Sequence, residues 1–155
     1  MTKPLIDTYW QTYLATLPAN SSIHTETYVA ERFGDTPELA DQLGQLIVAG
    51  IKTATCSALW EWEAEQSPLP AIGSKTILLD GQGQPLCIIE VTEVTINAYD
   101  QVDAQFASDE GEGDRSLGYW RQAHWEFFGR TLPNIGKTPT MDMPLVCERF
   151  QLVYK

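Results

Sequence analysis

Near the N-terminus, apolar residues recur at helical spacing. In "IDTYWQTYLATLP", Ile6, Tyr9, Trp10, Tyr13, Leu14 and Leu17 share one face, and Pro18 ends the run. The polar stretch "ANSSIHTET" that follows reads as a loop. A second helix is announced by Asp35 or Thr36 as its cap and Pro37 in its first turn. Leu39, Leu43, Leu46 and Ile47 supply its apolar stripe, and Gly50 stops it.

From Gly73 the period changes. "SKTILLD" and "PLCIIEVTEVTINAY" are rich in β-branched residues, and "DGQGQP" between them predicts a hairpin loop. "DQVDAQFASDE" predicts a short helix. A third long helix follows "EGEGD", with Leu117, Trp120, His124 and Phe127 on one face and Gly129 as its stop. The tail "LVCERFQLVYK" alternates as a strand does. Strands from distant parts of the chain, with helices between them and no βαβ rhythm, predict an α+β domain: a small mixed β-barrel with helices packed around it.

At 155 residues the chain fits one domain that buries roughly 70% of its unfolded surface. No apolar run is long enough to span a bilayer, and the N-terminus lacks the form of a signal peptide. Cys56, Cys87 and Cys147 form no CxxC and leave an odd count, which points to reduced thiols and a cytoplasmic location. The net charge of −11 sets ten basic residues against twenty-one acids, which excludes a broad RNA-coating surface. Arg115, Arg121, Arg130 and Lys137 fall in one stretch and leave room for a local positive patch, so RNA stays open as a partner. A small neutral or cationic substrate suits the overall field better.

Candidate chemistry narrows by type. "HTE" at His24 and "HWE" at His124 match H-x-E, yet a zinc deaminase also needs P-C-x-x-C, and Cys87 has no partner three residues on. With two histidines and no cysteine pair, no metal site is expected. No G-x-S-x-G elbow is present either. What remains is a nucleophile with an activator other than histidine. In "AGIKTATCSALW", Thr55 offers a hydroxyl and Lys52 an amine. A lysine acts as a base only if burial lowers its pKa towards neutrality, and otherwise Lys52 is a surface cation after a helix. Residues three apart on a regular strand point to opposite faces, so joint action by Lys52 and Thr55 requires a turn, a bulge or a strand start. "SDEGEGDRS" is either a solvated loop capping the next helix or the source of an inward carboxylate, Glu110 or Glu112. In "LGYWRQAHWEFF" the aromatic stripe reads as core, with Arg121 beside it. Trp60 and Trp62 are candidates to stack a base, one of them more naturally a core residue.

"GIKTATCSALW", "EVTEV" and "ASDEGEGDRSLGYWRQAHWEFF", in that order, resemble the ASCH domain family, whose fold is similar to the PUA β-barrel. The resemblance runs from about Thr36 to the C-terminus. It implies an ASCH domain over residues 36–155, with residues 1–35 as an N-terminal helical extension of the same domain. Members have been proposed to bind RNA, and some are described as ribonucleases. Small bacterial members hydrolyse N4-acetylcytidine to cytidine and acetate with a lysine, a threonine and a glutamate. The resemblance thus implies Lys52, Thr55 and Glu110 as catalytic residues, with Glu112 close enough in alignment to compete for the role of the glutamate. Ser57, at a position where small members carry an arginine, is expected to bind substrate, as are Glu112 and Arg121 from the chemistry of their own segments. Neither cofactor nor metal is implied.

Overall fold

The computed structural model describes residues 2–155. Helix α1 spans Thr2–Ala15 and α2 spans Pro37–Val48, capped by the Thr36 hydroxyl, which accepts from the Leu39 N–H. Gly50 follows α2 at φ +78°, a conformation open to glycine without strain. Strands β1 (Tyr28–Glu31), β2 (Ala54–Ala58), β3 (Lys75–Leu79), β4 (Pro85–Ala98) and β5 (Pro144–Tyr154) form one sheet in the order β1-β3-β4-β5-β2. β1 runs parallel to β3, and every other pair is antiparallel. Helices α3 (Leu59–Ala64), α4 (Ala104–Glu110) and α5 (Leu117–Thr131) complete the set.

The mixed α+β architecture agrees with the expectation, but the sheet does not close into a barrel. β1 and β2 remain as its two edges. β4 is long enough to pair with β3 along its first half and with β5 along nearly its whole length. Register shifts at Ile88/Ile89 and Val91/Glu93 bend it between the two.

Three apolar clusters hold the layers together. Trp10, Tyr13 and Leu14 of α1 pack on Ile77 and Ile88, while Ile47 of α2 packs on Leu78, Cys87 and Ile89. Ile77 and Leu78 are neighbours on β3, so α1 and α2 cover opposite faces. The largest cluster joins Ala54, Ala58, Leu145 and Cys147 to Phe106, Trp120, Phe128 and Leu132. Among the described residues, no helix is long and apolar enough to cross a membrane.

Several local expectations need correcting. Tyr28–Glu31, within the stretch expected to be a helical extension, is an edge strand of the sheet. Gly129 does not stop α5, which continues to Thr131 and through a 3-10 turn to Gly136, at φ +73°. Phe128 and Leu132 are both buried, and their packing outweighs the roughly 1 kcal/mol that a mid-helix glycine costs.

Lys75 is also buried, at the start of β3. Its Nζ lies 2.9 Å from Glu90 on β4 and 3.0 Å from Glu26 in the segment before β1, and it donates to the Gly73 carbonyl. The cation thus pins the N-terminal segment to the sheet. Lys75→Met should destabilise the protein by about 2 kcal/mol in urea unfolding. That is less than the roughly 3–5 kcal/mol of a fully buried pair, because both carboxylates can rehydrate.

Candidate active site

Lys52 lies between α2 and β2, in the five residues 49–53 that belong to neither. Its N–H donates to the Leu46 carbonyl, and the Thr53 N–H donates to the carbonyl of Asp109 in α4. Regular strand begins only at Ala54. The segment is therefore a strand start, and this irregularity lets Lys52 and Thr55 line the same cavity.

The Lys52 side chain is only 1% exposed. Its Nζ lies 2.8 Å from Glu110 Oε1 and 2.9 Å from Glu112 Oε2, and it donates to the Glu110 carbonyl at 3.3 Å. Glu110 is the last residue of α4, and Gly111 turns the chain at φ +73° so that Glu112 returns to the same ammonium. A Cβ on Gly111 would come within 2.8 Å of the Ile51 carbonyl oxygen, so glycine is required there for space as well as for conformation. Both acids thus meet the lysine: Glu110 fully buried, Glu112 at the cavity wall.

The second Glu110 oxygen accepts from Trp120 Nε1 at 2.7 Å and lies 3.4 Å from His124 Nε2. His124 Nδ1 donates to the Trp120 carbonyl, and its ring stacks on the Trp120 indole at 4.3 Å. Burial alone would lower the Lys52 pKa, but the two carboxylates outweigh it, and the ammonium is held above its ordinary range. Burial works against ionised Glu110 as well. There Lys52 and then His124 prevail and hold the carboxyl well below the usual range. His124 is raised, since its Glu110 partner exceeds the effect of burial. Lys52 is therefore a fixed cation and not the neutral amine that a basic role requires.

Cys56, Glu110 and His124 each place one potential metal-ligating atom within 4.8 Å of the others. Both Glu110 oxygens are already engaged, and a divalent ion would sit against the buried Lys52 ammonium. Burial, followed by the Glu110 charge, pushes the Cys56 thiol well up. The cluster is better suited to holding protons than to holding a metal.

The cavity encloses about 440 Å³, within the roughly 300–1,000 Å³ of small-ligand sites. Thr55 and Ser57 line it, and Ser57 Oγ accepts from Trp62 Nε1 at 2.8 Å, which presents the Trp62 indole as a wall. Trp60 packs instead against the main core. Arg121 is not brought to the cavity. It is exposed on α5, about 100° around the helix from Trp120, and its place beside the stripe in sequence put it on the wrong face. His124 is buried on the α5 stripe against Trp120 and Phe128, as its spacing predicts; its part in the polar cluster shows only in the 3.4 Å approach of Nε2 to Glu110.

An ASCH domain model matches residues 29–154. The chain belongs to the ASCH domain family. Its structure is similar to that of an ASCH domain from Lactobacillus crispatus, with 32% identity and a TM-score of 0.90, over 99% of this chain and 94% of that one. It is likewise similar to a protein from Enterococcus faecalis, with 37% identity and a TM-score of 0.87, over 99% and 90% of the two chains. No curated protein matches the chain.

The electrostatics of this ASCH domain fix the sign of its pH response. The Glu110 contribution is complete above the ordinary carboxylate pKa and lost as pH falls through the depressed folded value. The Lys52 contribution is complete below its ordinary pKa and lost as pH rises through the raised one. Stabilisation by the pair should therefore be flat between about pH 5 and about pH 10. Lys52→Met should cost about 3–5 kcal/mol in urea unfolding at pH 7, because it leaves Glu110 buried without its cation. Adding Glu110→Gln should restore part of that loss, with a coupling of at least about 1 kcal/mol in the double-mutant cycle.

Proposed function

We propose that this ASCH domain is an amidohydrolase that cleaves the amide of N4-acylated cytosine nucleosides, converting N4-acetylcytidine to cytidine and acetate. The ASCH family is linked to RNA binding and to hydrolase activity. The observation that carries the finer reading is the meeting of Lys52, Glu110 and Glu112 at one wall of the cavity that Thr55 lines.

Each group has a role that its surroundings support. Thr55 is the nucleophile, placed on the strand start where its hydroxyl reaches an acyl carbon. Lys52 keeps Glu110 ionised, and together with His124 the pair forms a reservoir from which the departing amine takes its proton. Trp62 offers a flat surface for the pyrimidine, as base-stacking aromatics do.

Charge favours a nucleoside over a polynucleotide. Six carboxylates line the cavity against three permanent cations, Lys52, Arg32 and Arg130. Lys52 is neutralised by its two glutamates, and Arg130 is paired with Asp35. A phosphate chain would enter an acidic cavity with little positive charge to receive it.

Incubation of the purified protein with N4-acetylcytidine should release cytidine and acetate. Thr55→Ala and Lys52→Ala should each lower kcat/KM by at least about 100-fold. Salt-sensitive binding or cleavage of short RNA, without amide hydrolysis, would overturn the proposal in favour of a ribonuclease or RNA-binding role.

A further inference from the structure

We infer that Glu148 is the general base of this site, taking the proton from Thr55 as it attacks; the inference rests on the amidohydrolase reading. Such a group is needed because Lys52 keeps its proton, Glu110 is engaged at both oxygens by Lys52, Trp120 and His124, and Glu112 is tied to the same ammonium. In the β2–β5 ladder Thr55 is the direct partner of Glu148. Directly opposed residues on an antiparallel pair project from the same face, with Cβ atoms roughly 4.5–5.5 Å apart. Both residues line the cavity.

Glu148 is also uncommitted. Among the described residues its carboxyl has no hydrogen-bond or ion-pair partner. The cations close to it in sequence or along the cavity are engaged elsewhere: Arg149 with Glu93 and Asp109, Arg130 with Asp35, and Arg32 at the Gly81 carbonyl. On β4 its ladder partner is the apolar Val94. From β1 the facing charge is Glu31, while α2 lines the cavity with Leu39 and Leu43, and α5 with His124 and Glu126. Burial, and then Glu31, push the Glu148 carboxyl up to about 7, where a general base works best near neutral pH. Neither group of the locked Lys52–Glu110 pair has this property.

The step balances as follows. The Glu148 carboxylate takes the Thr55 Oγ proton as the Oγ–carbon bond forms. The carbon–nitrogen bond then breaks, and the exocyclic amine leaves with a proton from the His124–Glu110 cluster. Glu148 then gives up its proton to solvent and the His124–Glu110 cluster regains one, so both groups stand as they began. Glu148 next deprotonates a water, which attacks the threonyl ester, and the proton it takes passes to the departing Thr55 Oγ. The carbon–Oγ bond breaks, Thr55 recovers its proton, and the acid departs as carboxylate with one proton released to solvent.

The test compares the wild type, Thr55→Ala, Glu148→Gln and Glu148→Ala on N4-acetylcytidine from about pH 5 to about pH 9. The expected wild-type rate rises with pH through an ionisation near 7. Glu148→Gln should lower kcat about 100-fold or more with KM unchanged, and should abolish that rise. Formate should restore part of the rate to Glu148→Ala and none to Thr55→Ala. Glu148→Gln removes a strained charge, so it should melt no lower than the wild type above pH 7, which separates lost chemistry from lost folding. A Glu148→Gln enzyme with the wild-type kcat and pH profile, beside an inactive Thr55→Ala, would overturn the role of Glu148 and leave the amidohydrolase reading intact. A wild type inert towards the amide would overturn both.

Discussion

A lysine ammonium removed from water must be compensated at once, and that requirement organises this molecule. The desolvation penalty of such an ion is several kcal/mol, which a single carboxylate repays only with good geometry and further hydrogen bonds. Here two carboxylates and one carbonyl oxygen converge on Lys52. To deliver them, α4 must end at Glu110 and the chain must reverse at Gly111. The Thr53 N–H must also dock on the carbonyl of Asp109. The buried cation thus sets where β2 begins, and with it the position of Thr55.

The failure of the sheet to close has the same consequence from another direction. β1 and β2 are its edges, and residues of both line the cavity: Glu31 on one side, Thr55 and Ser57 on the other. A closed barrel would fill that seam with ladder hydrogen bonds. Left open, and bordered by α2, α3 and α5, the seam becomes a hollow with polar side chains on its walls. The α+β architecture and the site are therefore one feature seen at two scales, which agrees with the general placement of small-ligand sites at gaps between elements.

Two kinds of carboxylate share this hollow, and their surroundings separate them. Glu110 is surrounded by donors from Lys52, Trp120 and His124, and it stays ionised however deep it lies. Glu148 lies beside another acid without a donor, and its proton is easily gained and lost. Environments that drive like groups apart in this way are the physical basis for dividing acid–base labour within one site.

Periodicity revealed α1, α2, α5, β3, β4 and β5, because long elements repeat their burial pattern often enough to be read. β1, with four residues, and α3, with six, are too short for that, and Gly129 was overruled by packing that no local rule contains. Local order along the chain determined that a lysine, a threonine and two glutamates lie in two well-separated segments. It did not determine that both glutamates reach the lysine, that Arg121 turns away, or that His124 joins the cluster. Nor did it pair Glu148 with Thr55, ninety-three positions earlier in the chain. Strand register and helix phase are set by contacts between distant residues, so only the tertiary structure decided which of these side chains share a wall.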